Sequence, residues 1–119
     1  MRVITPSILV FVLILPLTIF AQPDLQIDGQ LVYYAVPASG TDGEIFKINT
    51  DGTGVIQLTD NTGYELETSW SPDGTKVLFV SNASGNREIY FMDVDGNNWV
   101  QLTNNPAEDA GPAWSPDGK

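Results

Sequence analysis

Apolar residues occur in two kinds of run. One is long: after Arg2, nineteen uncharged residues extend from Val3 to Ala21, with an unbroken apolar block at Val10–Leu15. The others are short. Leu31–Val36, Val77–Val80 and Ile89–Met92 each span four to six residues, rich in β-branched and aromatic types. No segment repeats apolar positions at i, i+3, i+4 and i+7 over ten residues, so the pattern predicts strands and no helix. The short runs are continuous rather than alternating, which predicts strands covered on both faces. Between them lie turn residues. Gly29, Gly43, Gly52, Gly74, Gly96 and Gly118 each follow an Asp, and Asp-Gly is a turn dipeptide because Gly accepts φ > 0 at no steric cost.

The long run has the three-part pattern of a secretory signal peptide: a basic residue, an apolar core, and a short end region at Thr18–Ala21. The domain reading is therefore residues 1–21 as signal and 22–119 as the exported part. The alternative is an uncleaved anchor, since nineteen residues at ~1.5 Å rise just span a bilayer core of ~30 Å. Pro16 and the polar Gln22-Pro23-Asp24 favour cleavage after Ala21. Either way the remainder is expected outside the cytoplasm, periplasmic or secreted, touching a membrane only through this leader or anchor.

The remainder repeats itself. Glu44-Ile45 recurs as Glu88-Ile89, Asp51-Gly52 as Asp95-Gly96, and Gln57-Leu58-Thr59 as Gln101-Leu102-Thr103. Trp70-Ser71-Pro72-Asp73-Gly74 recurs as Trp114-Ser115-Pro116-Asp117-Gly118. Every shift is 44, and residues 44–74 share 13 of 31 positions with residues 88–118, where chance gives about two. Upstream the offset becomes 45, and the extra residue falls in the loop after Val36. A period of ~40–45 residues fits a four-stranded propeller blade or a paired-helix repeat, and the strand-type runs select the blade. The expected fold is all-β, with blades of four antiparallel strands. Blade one covers about 25–61, blade two about 67–105, and a third begins at about 112–119. In blade two the strands are expected near Thr68–Trp70, Thr75–Ser81, Arg87–Asp93 and Asn98–Thr103. Ser71-Pro72-Asp73-Gly74 fits a type I turn, and Asp95-Gly96 closes the hairpin between the last two strands.

These residues resemble the TolB-like β-propeller repeat, a relative of the WD-type repeat. The resemblance lies in Trp70 to Gly74, Val77 to Val80, Glu88-Ile89-Tyr90, Asp95-Gly96 and Gln101-Leu102-Thr103. It extends over about residues 25–119. It implies a propeller fold with high specificity and a function with low specificity. The same repeat resembles parts of a periplasmic protein, the propeller caps of prolyl-oligopeptidase-type and tricorn-type peptidases, and some sugar-cleaving lyases. A propeller closes with four to eight blades, so two and a fraction are expected to belong to a longer protein.

Composition narrows the chemistry. The chain has 119 residues, 15 acidic and 5 basic, a net charge of −10, and neither Cys nor His. A Cys/His zinc site, a thiolate nucleophile and a Ser-His-Asp triad cannot be built from it. The acidic balance argues against a nucleic-acid groove. No cofactor, metal or catalytic residue is expected. Asp93, Asp95 and Asn97 are spaced like the start of a calcium loop, but Gly96 stands fourth rather than sixth and no Glu stands twelfth. They and their counterparts Asn49, Asp51 and Thr53 read as hairpin turns. Trp70, Trp114 and Trp99 read as packing residues before stacking platforms. Asn82-Ala83-Ser84 is a glycosylation sequon only in a eukaryotic host. The remaining candidate is a partner-binding rim of linker acids, Glu65, Glu67, Glu108 and Asp109. The resulting expectation is a non-enzymatic exported scaffold that binds another protein of the cell envelope. Its rivals are the accessory propeller of a serine peptidase and a carbohydrate-binding or lyase-type propeller.

Overall fold

A computed structural model describes residues 29–37 and 42–119, together with a two-residue strand at Leu17–Thr18. Among the described residues eight strands form: β1 Leu17–Thr18, β2 Gln30–Pro37, β3 Glu44–Asn49, β4 Ile56–Gln57, β5 Glu65–Trp70, β6 Lys76–Ser81, β7 Glu88–Asp93 and β8 Val100–Gln101. They make two antiparallel sheets in sequential order, β1-β2-β3-β4 and β5-β6-β7-β8. Each sheet is one blade, and the described residues form part of a propeller that two blades do not close. β1 falls within the stretch read as signal. Leu25–Ile27, expected to open blade one, lies outside the described residues, as does the rest of the expected leader.

The hairpins follow from the turn residues. In the Ser71–Gly74 turn the Gly74 amide donates to the Ser71 carbonyl at 2.9 Å, and Gly74 takes φ +72°. In the last hairpin of blade two the Gly96 amide donates to Asp93 at 2.9 Å, and the Asp93 amide donates to Asn97 at 2.8 Å. The spacing that resembled a calcium loop thus serves a hairpin. Asp93 pairs with Lys76 across the sheet and accepts from Asn98 Nδ2 at 2.6 Å.

Side-chain alternation decides which face packs. In β6–β7 the cross-strand pairs Val77–Met92 and Phe79–Tyr90 share one face, and Leu78–Phe91 and Val80–Ile89 share the other. The first face meets Val32, Ile45 and Leu58 of blade one in a single buried cluster. Trp70 closes that cluster at one edge of the sheet and Trp99 packs against it at the other. The Trp99 ring stands edge-on to Phe79 at 4.8 Å and to Tyr90 at 6.0 Å. All of β6 beyond Lys76 is buried, as the continuous apolar run predicts. β7 instead alternates: Tyr90 and Met92 on the inter-blade face are buried, while Ile89 and Phe91 on the other face are half-buried. The same asymmetry separates two equivalent leucines. Leu58 is 8 % exposed because blade two covers it, whereas Leu102 is 53 % exposed.

Candidate functional site: the junctions between blades

The Glu-Ile and Gln-Leu-Thr signatures meet at the junctions. In blade one the Thr59 hydroxyl accepts the Ile45 amide at 2.8 Å and donates to Glu44 Oε2 at 2.5 Å. The other Glu44 oxygen accepts the Asn61 amide at 3.3 Å. Asn61 then reaches forward, and its Nδ2 donates to Glu65 at 3.0 Å. The arrangement recurs 44 residues on. Thr103 accepts the Ile89 amide at 2.9 Å and donates to Glu88 at 2.5 Å, Asn105 donates its amide to Glu88 at 2.9 Å, and Asn105 Nδ2 donates to Asp109 at 2.9 Å. Main-chain bonds join the blades at the same places: Glu65 donates to the Gly43 carbonyl at 2.6 Å and Asp109 to that of Arg87 at 2.8 Å. A buried carboxylate persists only when its oxygens are satisfied, which is why Glu, Thr and Asn recur together.

This geometry divides the four rim acids. Glu65 is fully buried at the start of β5, where it also accepts from Ser81 at 2.8 Å. It belongs to the junction and presents no carboxylate to a partner, which corrects the rim expectation for this residue. Asp109, its half-buried counterpart, serves the next junction. Glu67 and Glu108 are exposed. The linker acids read alike in sequence because the fold partner of Glu65, Asn61, carries no conspicuous signal; its recurrence as Asn105 is the only mark.

Burial pushes the Glu65 carboxyl above its ordinary value of 4.5; hydrogen bonds from Ser81 and Asn61 oppose the rise, and the Glu44 charge adds to it. A carboxyl raised in the folded state binds its proton more tightly there than in the unfolded chain. Its contribution to stability is therefore full below the unfolded value and is lost as pH rises through the folded one. Glu65→Gln cannot ionise. Denaturant titration across pH is expected to show the variant more stable than the wild type at neutral pH, with the gap closing near about pH 4, where the unfolded carboxyl is protonated too. A gap that widens toward acid would contradict the assignment.

The exposed acids frame a small polar cluster. Arg87 Nε donates to the Tyr64 hydroxyl at 3.1 Å and lies 3.4 Å from Glu108, and its guanidinium sits over the Tyr64 ring at 5.9 Å. Glu108 also accepts the Arg87 amide at 3.1 Å. Glu67 occupies a bulge in β5 between Leu66 and Ser69 at φ +54°, and its carboxylate accepts the Gly111 amide at 2.5 Å. Gly111 is the repeat counterpart of Glu67 and has φ +66°. The left-handed backbone is thus common to both positions, but a side chain in it is strained by roughly 1–2 kcal/mol, and such strain gathers where a side chain is aimed for a purpose.

The residues of the Trp-Ser-Pro-Asp-Gly motif pack and hydrogen-bond within the fold at both positions. Trp70 is 4 % exposed within the inter-blade cluster. Trp114 is half-buried, and its indole donates to the Ser69 carbonyl at 3.3 Å. Ser71 donates to Asp73 at 2.7 Å and Ser115 to Asp117 at 2.6 Å, locking the two turns. Pro72 and Pro116 lie exposed at their tips, where the missing N–H is not required. Among the described residues no three Asp or Glu side chains converge as metal ligands would.

Sequential four-stranded antiparallel sheets, stacked face to face and stapled by a recurring carboxylate network, define a β-propeller protein. The model of the TolB beta propeller domain matches residues 18–119, and the chain belongs to that family. It is 34% identical over 64 residues to dipeptidyl-peptidase 5 of Porphyromonas gingivalis, covering 50% of this chain and 9% of the peptidase. It is 44% identical over 45 residues to a TolB homologue of Chlorobium luteolum, covering 38% of this chain and 10% of the relative. The TolB structure from Acinetobacter baumannii superposes with a TM-score of 0.72 at 26% identity, over 85% of this chain and 25% of that one. The putative TolB from Agrobacterium tumefaciens gives 0.69 at 26% identity, over 76% and 32%. The chain therefore spans about a tenth of the two relatives matched by sequence.

Proposed function

We propose that the chain supplies blades to an exported, non-enzymatic propeller scaffold, which holds another protein of the cell envelope against the inter-blade rim formed by Glu67 and Glu108. The carrying observation is Glu67: an exposed carboxylate held in left-handed backbone and aimed across the junction at Gly111. Family membership supports the scaffold reading, as does the composition, which offers neither Cys nor His for catalysis. The acidic surface selects a basic face on the partner, and complementary rim charges act chiefly on association rate. The leader pattern of residues 1–21 supports export. Reversing both charges, Glu67→Lys with Glu108→Lys, is expected to slow association with the envelope partner about tenfold at low salt and to flatten its salt dependence. Surface plasmon resonance against the isolated partner checks this; unchanged rates and salt slope would contradict it.

One observation favours a second reading. The match to a dipeptidyl-peptidase fits an accessory propeller that screens the entrance to a hydrolase domain. That reading requires a Gly-x-Ser-x-Gly elbow with its His and Asp partners in the same protein, and it places peptide substrate rather than a folded partner at the rim.

A further inference from the structure

Asp-Gly is the dipeptide most prone to isomerise. The glycine amide nitrogen attacks the protonated aspartate carboxyl carbon, and water leaves to form a succinimide. Water then re-opens the ring at either carbonyl, so isoaspartate forms with no net change in atoms or electrons. The reaction needs a mobile carboxyl and a free glycine amide. In four described turns the amide is engaged: Gly52, Gly74, Gly96 and Gly118 donate to Asn49, Ser71, Asp93 and Ser115 at 2.8–2.9 Å. The carboxylates are not equally held. Asp73 Oδ1 accepts from the Ser71 hydroxyl at 2.7 Å, the Thr75 hydroxyl at 2.8 Å and the Thr75 amide at 3.0 Å. Asp51 Oδ1 accepts from the Thr53 hydroxyl at 2.6 Å and the Thr53 amide at 2.9 Å. Asp117 is held by Ser115. Among the described residues no hydroxyl donates to Asp95; the Asn97 amide donates to it at 3.0 Å, and Asn97 also supplies its side chain.

We propose that Asp95–Gly96 is the first of these four turns to form isoaspartate, and that the hydroxyls of Ser71, Thr75 and Thr53 shield Asp73 and Asp51 from the same modification. Turns in which Asp binds the residue two positions on are common; here the hydroxyl at that position adds a second restraint on the reacting carboxyl. Hydrogen bonds lower all four carboxyls, that of Asp73 to about 2, which withholds the proton the leaving water needs. The site matters structurally. Gly96 lies against the neighbouring blade, where a Cβ would meet the Leu58 carbonyl oxygen at 2.5 Å, and the methylene that isoaspartate inserts just before the Gly96 amide lengthens the hairpin next to that contact.

The full chain, incubated at neutral pH and 37 °C, is digested and isoaspartate is quantified at each of the four positions by mass spectrometry. Asp95 is expected to lead. Asn97→Thr, which restores the hydroxyl, should slow it by about three- to tenfold, the worth of one ordinary hydrogen bond. Thr75→Val should accelerate Asp73 by a similar factor while Asp95 keeps its rate. A variant that merely unfolds would raise all four rates together, and the wild-type ranking with Asn97→Thr then decides. Equal wild-type rates, Asp73 ahead of Asp95, or no effect of Asn97→Thr would overturn the proposal.

Discussion

Gly96→Ala is expected to destabilise the chain by about 2–4 kcal/mol, combining a left-handed backbone penalty with overpacking. Gly96 sits at φ +89° in the last hairpin of blade two. A Cβ there would lie 2.5 Å from the Leu58 carbonyl oxygen and 3.3 Å from its carbonyl carbon and Cα. These are backbone atoms of the neighbouring blade, so no side-chain rotation relieves the overlap. Gly52 provides the control. It is the repeat counterpart of Gly96 and has φ +85°, but a Cβ there would meet nothing within 4 Å. Gly52→Ala should therefore cost only the conformational part, about 1 kcal/mol. Thermal melts of the two variants separate the terms: a drop of about 10 °C or more for Gly96→Ala and about half that or less for Gly52→Ala. Equal shifts would mean that the blades do not press together at this point.

Phe79→Ala should cost about 3–5 kcal/mol, the range for removing a fully buried phenylalanine. Phe79 is 0% exposed. Its ring is stacked on Tyr90 at 5.8 Å and meets the Trp99 edge at 4.8 Å. Both neighbours are anchored, Tyr90 in the β6–β7 register and Trp99 through its indole, which donates to the Gly96 carbonyl at 3.1 Å. The cavity therefore cannot collapse readily. Because this face of blade two is shared with Val32, Ile45 and Leu58, the loss should weaken both blades. Denaturant unfolding followed by far-ultraviolet circular dichroism, which reports both sheets, should show one transition moved to lower denaturant. A variant in which only blade two loosens would show two.

Much of this was legible because a repeat prints its turns twice. The Ser-Pro-Asp-Gly and Asp-Gly dipeptides fall at the hairpins, and Val77–Val80 reads as a strand buried on both faces because it is one. Two features were hidden. β5 begins at Glu65 rather than Thr68, since Glu65-Leu66-Glu67 has the composition of a solvated linker. Nothing in that composition separates a buried, hydrogen-bonded Glu65 from an exposed Glu67; the difference is made by Ser81 and Asn61, distant in sequence or polar in type. The left-handed backbone at Glu67 was equally silent, since its only sequence trace is Gly111 at the equivalent position.

The scaffold reading is tested most directly by where the rim touches its partner. A photo-crosslinking amino acid is placed at Glu108 in the full-length protein in its native host, and at Ile56, an outer-edge residue that is 48% exposed. Adducts are resolved by mass spectrometry after irradiation. One discrete adduct is expected from position 108, with a folded envelope protein that presents a basic face, and none from position 56. No adduct at 108, or the same products from both positions, would contradict it.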